Sequence, residues 1–310
     1  MQRLSLQTRI PDRLRGAIVA LGNFDGFHLG HQAVVGRAVA RGHHEQRPVI
    51  VATFDPHPVR HFQPDAPPFR LTTLDQRERL FAHAGADAML VFEFGPELAA
   101  TSAEDFVARL LGERVGAAGV VTGDDFTFGY RRGGNAQVLR ELGAQHGIIA
   151  EAVAPVTLDG HPVSSSRIRE ALSDGDPGSA TRLLSRPFAI EGLVQSGDRR
   201  GRAMGYPTAN LTLGPYQRPA YGIYAVSVTL DDGTEHFGVA NLGTRPTFDP
   251  PVELLETFIF GFDGDLYGRR IEVALHHYIR PEQKFADVDA LTRRMRQDET
   301  EARKLLALPA

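Results

Sequence analysis

The stretch GNFDGFHLGH, residues 22–31, puts three glycines and two histidines three apart directly behind the apolar run AIVAL. These residue types make an anion site where a strand gives way to a helix. Free N–H groups and the helix dipole attract phosphate, and glycine lets the backbone come close. His28 and His31 add imidazole donors for a phosphate whose charge is growing. A bare glycine turn and a two-histidine metal site are the other readings. The metal reading needs a third ligand, and HxxH lacks the i, i+4 spacing and the glutamate of the zinc helix motif.

A second stretch, VSSSRIREAL at 163–172, has three serines followed by Arg167 and Arg169 at the start of a helical pattern. A cap needs one serine. Hydroxyls such as those of Ser164 and Ser165, together with a bidentate arginine, form another phosphate-gripping edge, against the plain reading of a cap with surface arginines. In GDRRGRAMGYPTANL (197–211), Gly197, Gly201 and Gly205 allow a loop over phosphates. Thr208 and Asn210 offer hard oxygen ligands suited to Mg²⁺, the alternative being a turn with ordinary Thr and Asn caps. Glu256 stands in the apolar run LLETFIF. Facing a substrate it accepts the proton of an attacking hydroxyl; facing solvent it is an ordinary strand glutamate. On residue types alone, Phe128 and Arg132 of VTGDDFTFGYRRGG can stack on and pair with an aromatic phosphorylated ligand, or be a core Phe and a surface Arg.

The elements that must position these residues come in two rhythms. From Ala17 to about Val156, the runs AIVAL, PVIVATF, ADAMLVFEF, AAGVVTG and IIAEAVAPV read as buried strands with room for helices between them. Thr73 with Gln76 and Thr101 with Glu104 have capping-box spacing. Strand alternating with helix predicts a parallel sheet covered on both faces, with ligands beyond the carboxyl ends of its strands. Near residue 187 the pattern turns to strands punctuated by Gly and Pro, among them AIEGLVQSG, AYGIYAVSVTL, HFGVANLG, LLETFIFGF and RIEVALHHYI. They predict a compact antiparallel barrel or sandwich, closed by one amphipathic helix from the C-terminal tail. Two domains follow, residues 1–184 and 185–310.

At 310 residues the chain can bury a sizeable core, and no apolar run is long enough to span a bilayer. The arginine-bearing N-terminus lacks a signal-peptide pattern, so a cytoplasmic location is expected. With no cysteine, disulfides and cysteine metal sites are excluded. A net charge of −4 argues against nonspecific nucleic-acid binding. Lys284 and Lys304 are the only lysines and neither stands in a Gly-Lys-Ser/Thr loop, which excludes a P-loop.

HxGH after the first strand and SSSRIR after the last strand of an α/β domain together resemble the nucleotidyltransferase superfamily. ATFDPHP (52–58), RLTTLDQRERL (70–80) and VTGDDFTFGYRRGG (121–134) narrow the resemblance to the FMN adenylyltransferase module of bacterial FAD synthetases. GDRRGRAMGYPTANL, GVANLGTRPTF (238–248), Glu256 seven residues before DGDLYG, and RPEQKF (280–285) resemble the riboflavin kinase module. The resemblance covers nearly the whole chain, with its motifs in order. It implies a Rossmann-like α/β nucleotidyltransferase domain followed by a mainly antiparallel β-barrel. The implied enzyme is bifunctional, making FMN from riboflavin and ATP, then FAD and pyrophosphate from FMN and a second ATP, with Mg²⁺ accompanying ATP. It further implies Gly22, Asn23, Phe24, Asp25, Gly30, Ser164, Ser165, Arg167 and Arg169 on ATP of the adenylyltransferase, with His28 and His31 catalytic. His57, Asp125, Phe128 and Arg132 fall on its flavin side. Gly197, Gly201, Gly205, Thr208 and Asn210 fall on the kinase ATP and Mg²⁺, with Glu256 as base. Ser166 stands where Thr is common, preserving the hydroxyl; VQSGD departs from a more usual VxHGD, and Asp125 replaces an Asn of some relatives. A flavin carrier without turnover, or a single adenylyltransferase for another phosphorylated metabolite, are the competing readings.

Overall fold

The computed structural model describes residues 1–195, 206–245 and 252–308. Its contacts divide the chain into two units, Met1–Pro67 with Thr72–Ser164, and Pro68–Leu71 with Ser165–Ala310. The sequence boundary at 184/185 follows the change of strand rhythm. Contacts instead group the twenty residues before it with the C-terminal sheet.

In the first unit β1 (Gln2–Ser5), β2 (Ile18–Leu21), β3 (Val49–Asp55), β4 (Ala88–Glu93), β5 (Gly119–Gly123) and β6 (Ile149–Val153) form one parallel sheet in the order β1-β4-β3-β2-β5-β6. The intervening helices are α1 (Leu29–Glu45), α2 (Pro58–Phe62), α3 (Leu74–His83), α4 (Pro96–Ala100), α5 (Ala103–Asp105) running on as a π-helix (Phe106–Val115), and α6 (Ala136–Gln145). Successive strand residues enter opposite cores. Val19 and Leu21 pack with Leu111 and Leu139, while Ile18 and Ala20 pack with Val35 and Phe81. Burial on both faces is why these strands read as unbroken apolar runs. A two-stranded ribbon, β7 (Thr157–Leu158) with β8 (His161–Pro162), ends the unit.

Both bonds of the Thr73–Gln76 capping box form at the start of α3. The box expected at Thr101 and Glu104 does not. Ser102 caps α5 by accepting from Asp105 N–H, and the Thr101 hydroxyl donates to the Glu97 carbonyl, closing α4.

The second unit begins with α7 (Ser165–Ser173) and α8 (Pro177–Leu184). Its strands β9 (Phe188–Leu193), β10 (Thr208–Thr212), β11 (Gly222–Leu230), β12 (Glu235–Arg245), β13 (Val252–Ile259) and β14 (Arg270–Arg280) pair antiparallel in the order β10-β13-β12-β11-β14-β9. Gln195 N–H, just past β9, donates to the Asn210 carbonyl of β10, so the two edges meet and the sheet curls into a barrel. The closing helix is α9 (Val288–Leu305), capped by Asp287. PTANL, which was not among the strands expected, is mostly strand β10.

Half-buried His276 of β14 places Nε2 3.0 Å from the Ser227 hydroxyl of β11. Burial, and secondarily His277, holds its pKa below the usual 6.5. The unfolded chain therefore binds this proton first, and stability falls as pH drops below 6.5. One such group contributes a slope of at most about 1.4 kcal/mol per pH unit. Urea midpoints of the wild type and His276→Gln should converge between pH 7.5 and pH 5.5. A gap independent of pH refutes this.

Candidate functional site

The strand order reverses at β2, with β3 on one side and β5 on the other. The carboxyl end of β2 therefore opens on the crevice where such sheets bind ligands. Residues 22–28 fill that position. Phe24 and Phe27 adopt φ of 50° and 47°, a region bulky residues avoid. Both rings are buried and stand edge-on to Phe81 of α3, at 5.8 and 5.1 Å, so aromatic packing offsets the strain.

The loop is pinned from beneath. Buried Asp25 accepts from Thr72 N–H at 3.0 Å, and the Thr72 hydroxyl accepts from Gly26 N–H at 2.9 Å. The Asn23 carbonyl accepts from the Thr53 hydroxyl at 2.8 Å and from Arg77 Nη1 at 3.2 Å. Asn23 Oδ1 is buried without a hydrogen-bond partner among the described residues, an acceptor turned to no protein donor. Thr53, Thr72 and Arg77 were not singled out from sequence, although each lies in a quoted motif. Single hydrogen bonds to the backbone leave no spacing signature.

His28 is the N-cap of α1, its Nδ1 accepting from His31 N–H at 3.3 Å. The tautomer this bond selects carries its proton on Nε2, leaving that nitrogen as a donor. The rings of His28 and His31 stack at 3.6 Å and 17°. A Cβ on Gly30 would stand 3.1 Å from the His28 ring and 3.7 Å from the Val163 carbonyl. A side chain there would crowd the His28 ring. The same contact sets the start of the serine run, Val163–Ser164, beside the first turn of α1. Ser165, Arg167 and Arg169 fall on α7, in the second unit. There Arg169 Nε donates to the Phe69 carbonyl at 2.8 Å, with its guanidinium 5.3 Å from the Phe69 ring.

His57 caps α2, accepting from Val59 N–H at 3.2 Å. Phe128 is buried, while Asp125 and Arg132 are exposed. Arg132 follows Arg131 with both at positive φ, 57° and 52°. Phe128 belongs to an aromatic chain the sequence did not reveal. Phe62, Phe94, Phe54, Phe92, Phe106, Phe128 and Phe126 follow one another at ring separations of 5.3 to 6.1 Å. Phe62 ends the chain two-thirds exposed. Scattered phenylalanines read as core in a sequence; the parallel sheet lines them up.

The second unit holds a cavity of about 870 Å³ lined by Thr208, Asn210, Asn241 and Glu256 among others. Asn210 and Asn241 are the two cross-strand neighbours of Glu256. Directly opposed residues share a face, and Thr208 shares it with Asn210 by the strand period of two. The three oxygen-bearing side chains and the carboxylate thus converge. Oδ1 of Asn210 and of Asn241 is buried with no hydrogen-bond partner among the described residues. Orphaned carboxamide oxygens beside a hydroxyl suit a hard cation that keeps most of its water or phosphate ligands, as Mg²⁺ does. No group of three or more His, Asp or Glu residues that could hold a metal ion is present among the described residues. Asn241 was missed within GVANLG, because its role depends on register. Gly197, Gly201 and Gly205 lie outside the described residues.

An anion loop at the switch point of a parallel sheet, followed by a barrel with an oxygen-lined cavity, defines a two-domain phosphate-group transferase. The FAD synthetase family model matches residues 10–167 and the riboflavin kinase model residues 184–306. Bifunctional riboflavin kinase/FMN adenylyltransferases of Escherichia coli K12 and Pseudomonas fluorescens are 38% and 40% identical to the chain, each alignment covering 94% of both proteins. A solved structure described as a macrolide-efflux protein from Streptococcus pneumoniae is similar over 98% of this chain and 99% of that one, with a TM-score of 0.87 and 31% identity. Among the described residues of this chain no helix is long and apolar enough to cross a membrane. The chain belongs to the bifunctional riboflavin kinase/FMN adenylyltransferase family.

Proposed function

We propose that the two activities are divided between residues 1–184, which adenylylate FMN to FAD, and residues 185–310, which phosphorylate riboflavin to FMN. The convergence of Glu256 with Thr208, Asn210 and Asn241 on one cavity carries the kinase half. Glu256 takes the proton of the ribityl 5′-hydroxyl, whose oxygen attacks the γ-phosphorus as the bond to ADP breaks. Thr208 and Asn210 would hold the Mg²⁺ that accompanies ATP, and Gly197, Gly201 and Gly205, outside the described residues, are proposed on the ATP side by the family resemblance alone. Bound there, the cation would spread the charge of the transferring phosphoryl group.

In the first half a phosphate oxygen of FMN attacks the α-phosphorus of ATP and pyrophosphate departs. His28 donates from Nε2 to the charge that develops, and His31 shares that work. The backbone of Gly22, Asn23, Phe24, Asp25 and Gly30, with Ser164 and Ser165, seats the triphosphate. The phenylalanine chain that includes Phe128 gives the flavin ring an aromatic platform, with His57, Asp125 and Arg132 at its polar side. The partners are small molecules, and nucleic acid is not among them, in keeping with the net charge of −4. A cytoplasmic location is in keeping with two ATP-consuming steps.

One chromatographic time course tests the whole reading. Riboflavin, ATP and Mg²⁺ supplied to the protein should yield FMN and then FAD, with ADP and pyrophosphate released in turn. Flavin bound without either release would instead make the protein a carrier.

A further inference from the structure

The cavity of the second unit has a charged end remote from Glu256. Strand register sets Asn210 opposite Glu256, Glu256 opposite Asn241, Asn241 opposite Ile223, and Ile223 opposite Arg280. One lateral row therefore crosses β10, β13, β12, β11 and β14, and all five residues line the cavity. Neighbouring strands lie about 4.8 Å apart, so the three steps from Glu256 to Arg280 span about 14 Å along the curved sheet. With the arginine side chain reaching back, that span is comparable to riboflavin from its 5′-hydroxyl to the far edge of its ring.

Arg280 is held fast. Its Nε and Nη2 donate to the two carboxylate oxygens of Asp298 on α9, at 2.9 and 2.6 Å, and Nη1 donates to the Pro281 carbonyl at 2.9 Å. Asp298 is 3% exposed, and Arg294 approaches the same carboxylate at 3.0 Å. The Phe285 ring lies 5.8 Å from the guanidinium. Burying two charges costs several kcal/mol per ion, and a well-packed apolar pair often closes such a space as stably. Dock strength alone is a poor reason for this pair. Arginine has five N–H donors in a rigid plane. Among the described residues three are committed, and one on Nη1 and one on Nη2 remain to fork onto a ligand.

We propose that Arg280 is a specificity-determining residue of the kinase site, its remaining fork pairing with the carbonyl edge of the riboflavin ring, and that Asp298 is the positioning residue that aims it. Phe285, Leu291 and Met295 line the same end of the cavity and supply apolar surface for the ring. The assignment rests on Glu256 marking the reacting end. It makes the last helix part of ring recognition as well as a closure for the barrel.

Steady-state FMN formation by the full chain, with riboflavin and ATP varied separately, tests it in Arg280→Met, Arg280→Lys and Asp298→Asn. Arg280→Met should raise the riboflavin KM about 10- to 100-fold, the range of charge-assisted hydrogen bonds, and leave the ATP KM unchanged. Arg280→Lys keeps the charge without the fork and should retain most of that defect. Asp298→Asn should raise the riboflavin KM less, and add nothing to Arg280→Met in the double variant. A purely structural pair would instead shift both KM values together, or lower the melting temperature without separating them. Either result overturns the proposal, as does a wild-type riboflavin KM in Arg280→Met. If Arg280→Met does not fold, Arg280→Lys and a riboflavin analogue with a ring carbonyl replaced by sulfur decide: wild type should discriminate against the analogue and Arg280→Lys should not, and equal discrimination refutes it. Failure of the underlying site reading is distinct, since Glu256→Gln would then still form FMN.

Discussion

Glu256→Gln should lower the rate of FMN formation about 100- to 10,000-fold, the contribution of a well-placed general base, while conversion of added FMN to FAD continues at the wild-type rate. Glutamine keeps the shape of the side chain and cannot take the hydroxyl proton. Its amide can donate to Oδ1 of Asn210 or Asn241, both of which lack a hydrogen-bond partner among the described residues, so the cavity wall should hold. The defect should fall on kcat, with the riboflavin KM little changed. Separate assays of the two half-reactions measure it. Equal damage to both would sink the two-site assignment.

His28→Ala should have the opposite pattern, lowering FMN adenylylation about 100- to 1,000-fold and sparing FMN formation. Here stability and chemistry must be separated, because His28 also caps α1 through Nδ1. Loss of a cap costs about 0.5 to 2 kcal/mol. Asparagine is among the best capping residues and has no donor where His28 holds Nε2. His28→Asn should therefore recover the melting temperature lost in His28→Ala while leaving adenylylation as slow. Recovery of rate together with stability would show that the histidine acts only as a cap.

What could be read along the chain was whatever is local. The alternation of apolar runs identified a parallel sheet because its strands are buried on both faces, so each run is unbroken. The capping box at Thr73 was legible because all its atoms lie within four residues. Thr101 misled because two hydroxyls stand side by side, and its own was taken by the end of α4. Strand β10 was hidden because its stretch is marked by Pro207 and Asn210, and its partner β13 is more than forty residues away. The phosphate loop was visible as glycines and histidines. Its foundations in Thr53, Thr72 and Arg77 were not, because nothing in a spacing announces which side chain will reach a distant backbone group.

The sequence by itself determined the chemical types present: a glycine-histidine loop, hard oxygen donors in PTAN, a carboxylate within the apolar run LLETFIF, and the order in which two modules follow. Tertiary structure decided which of these meet. Pairing of β10, β12 and β13 made neighbours of Asn210, Asn241 and Glu256, and closure by α9 brought Asp298 to Arg280. The physical reason is register. A strand's side chains alternate between faces, so shifting one strand by a single residue would turn Glu256 out of the cavity, and register is settled only when separate segments pack.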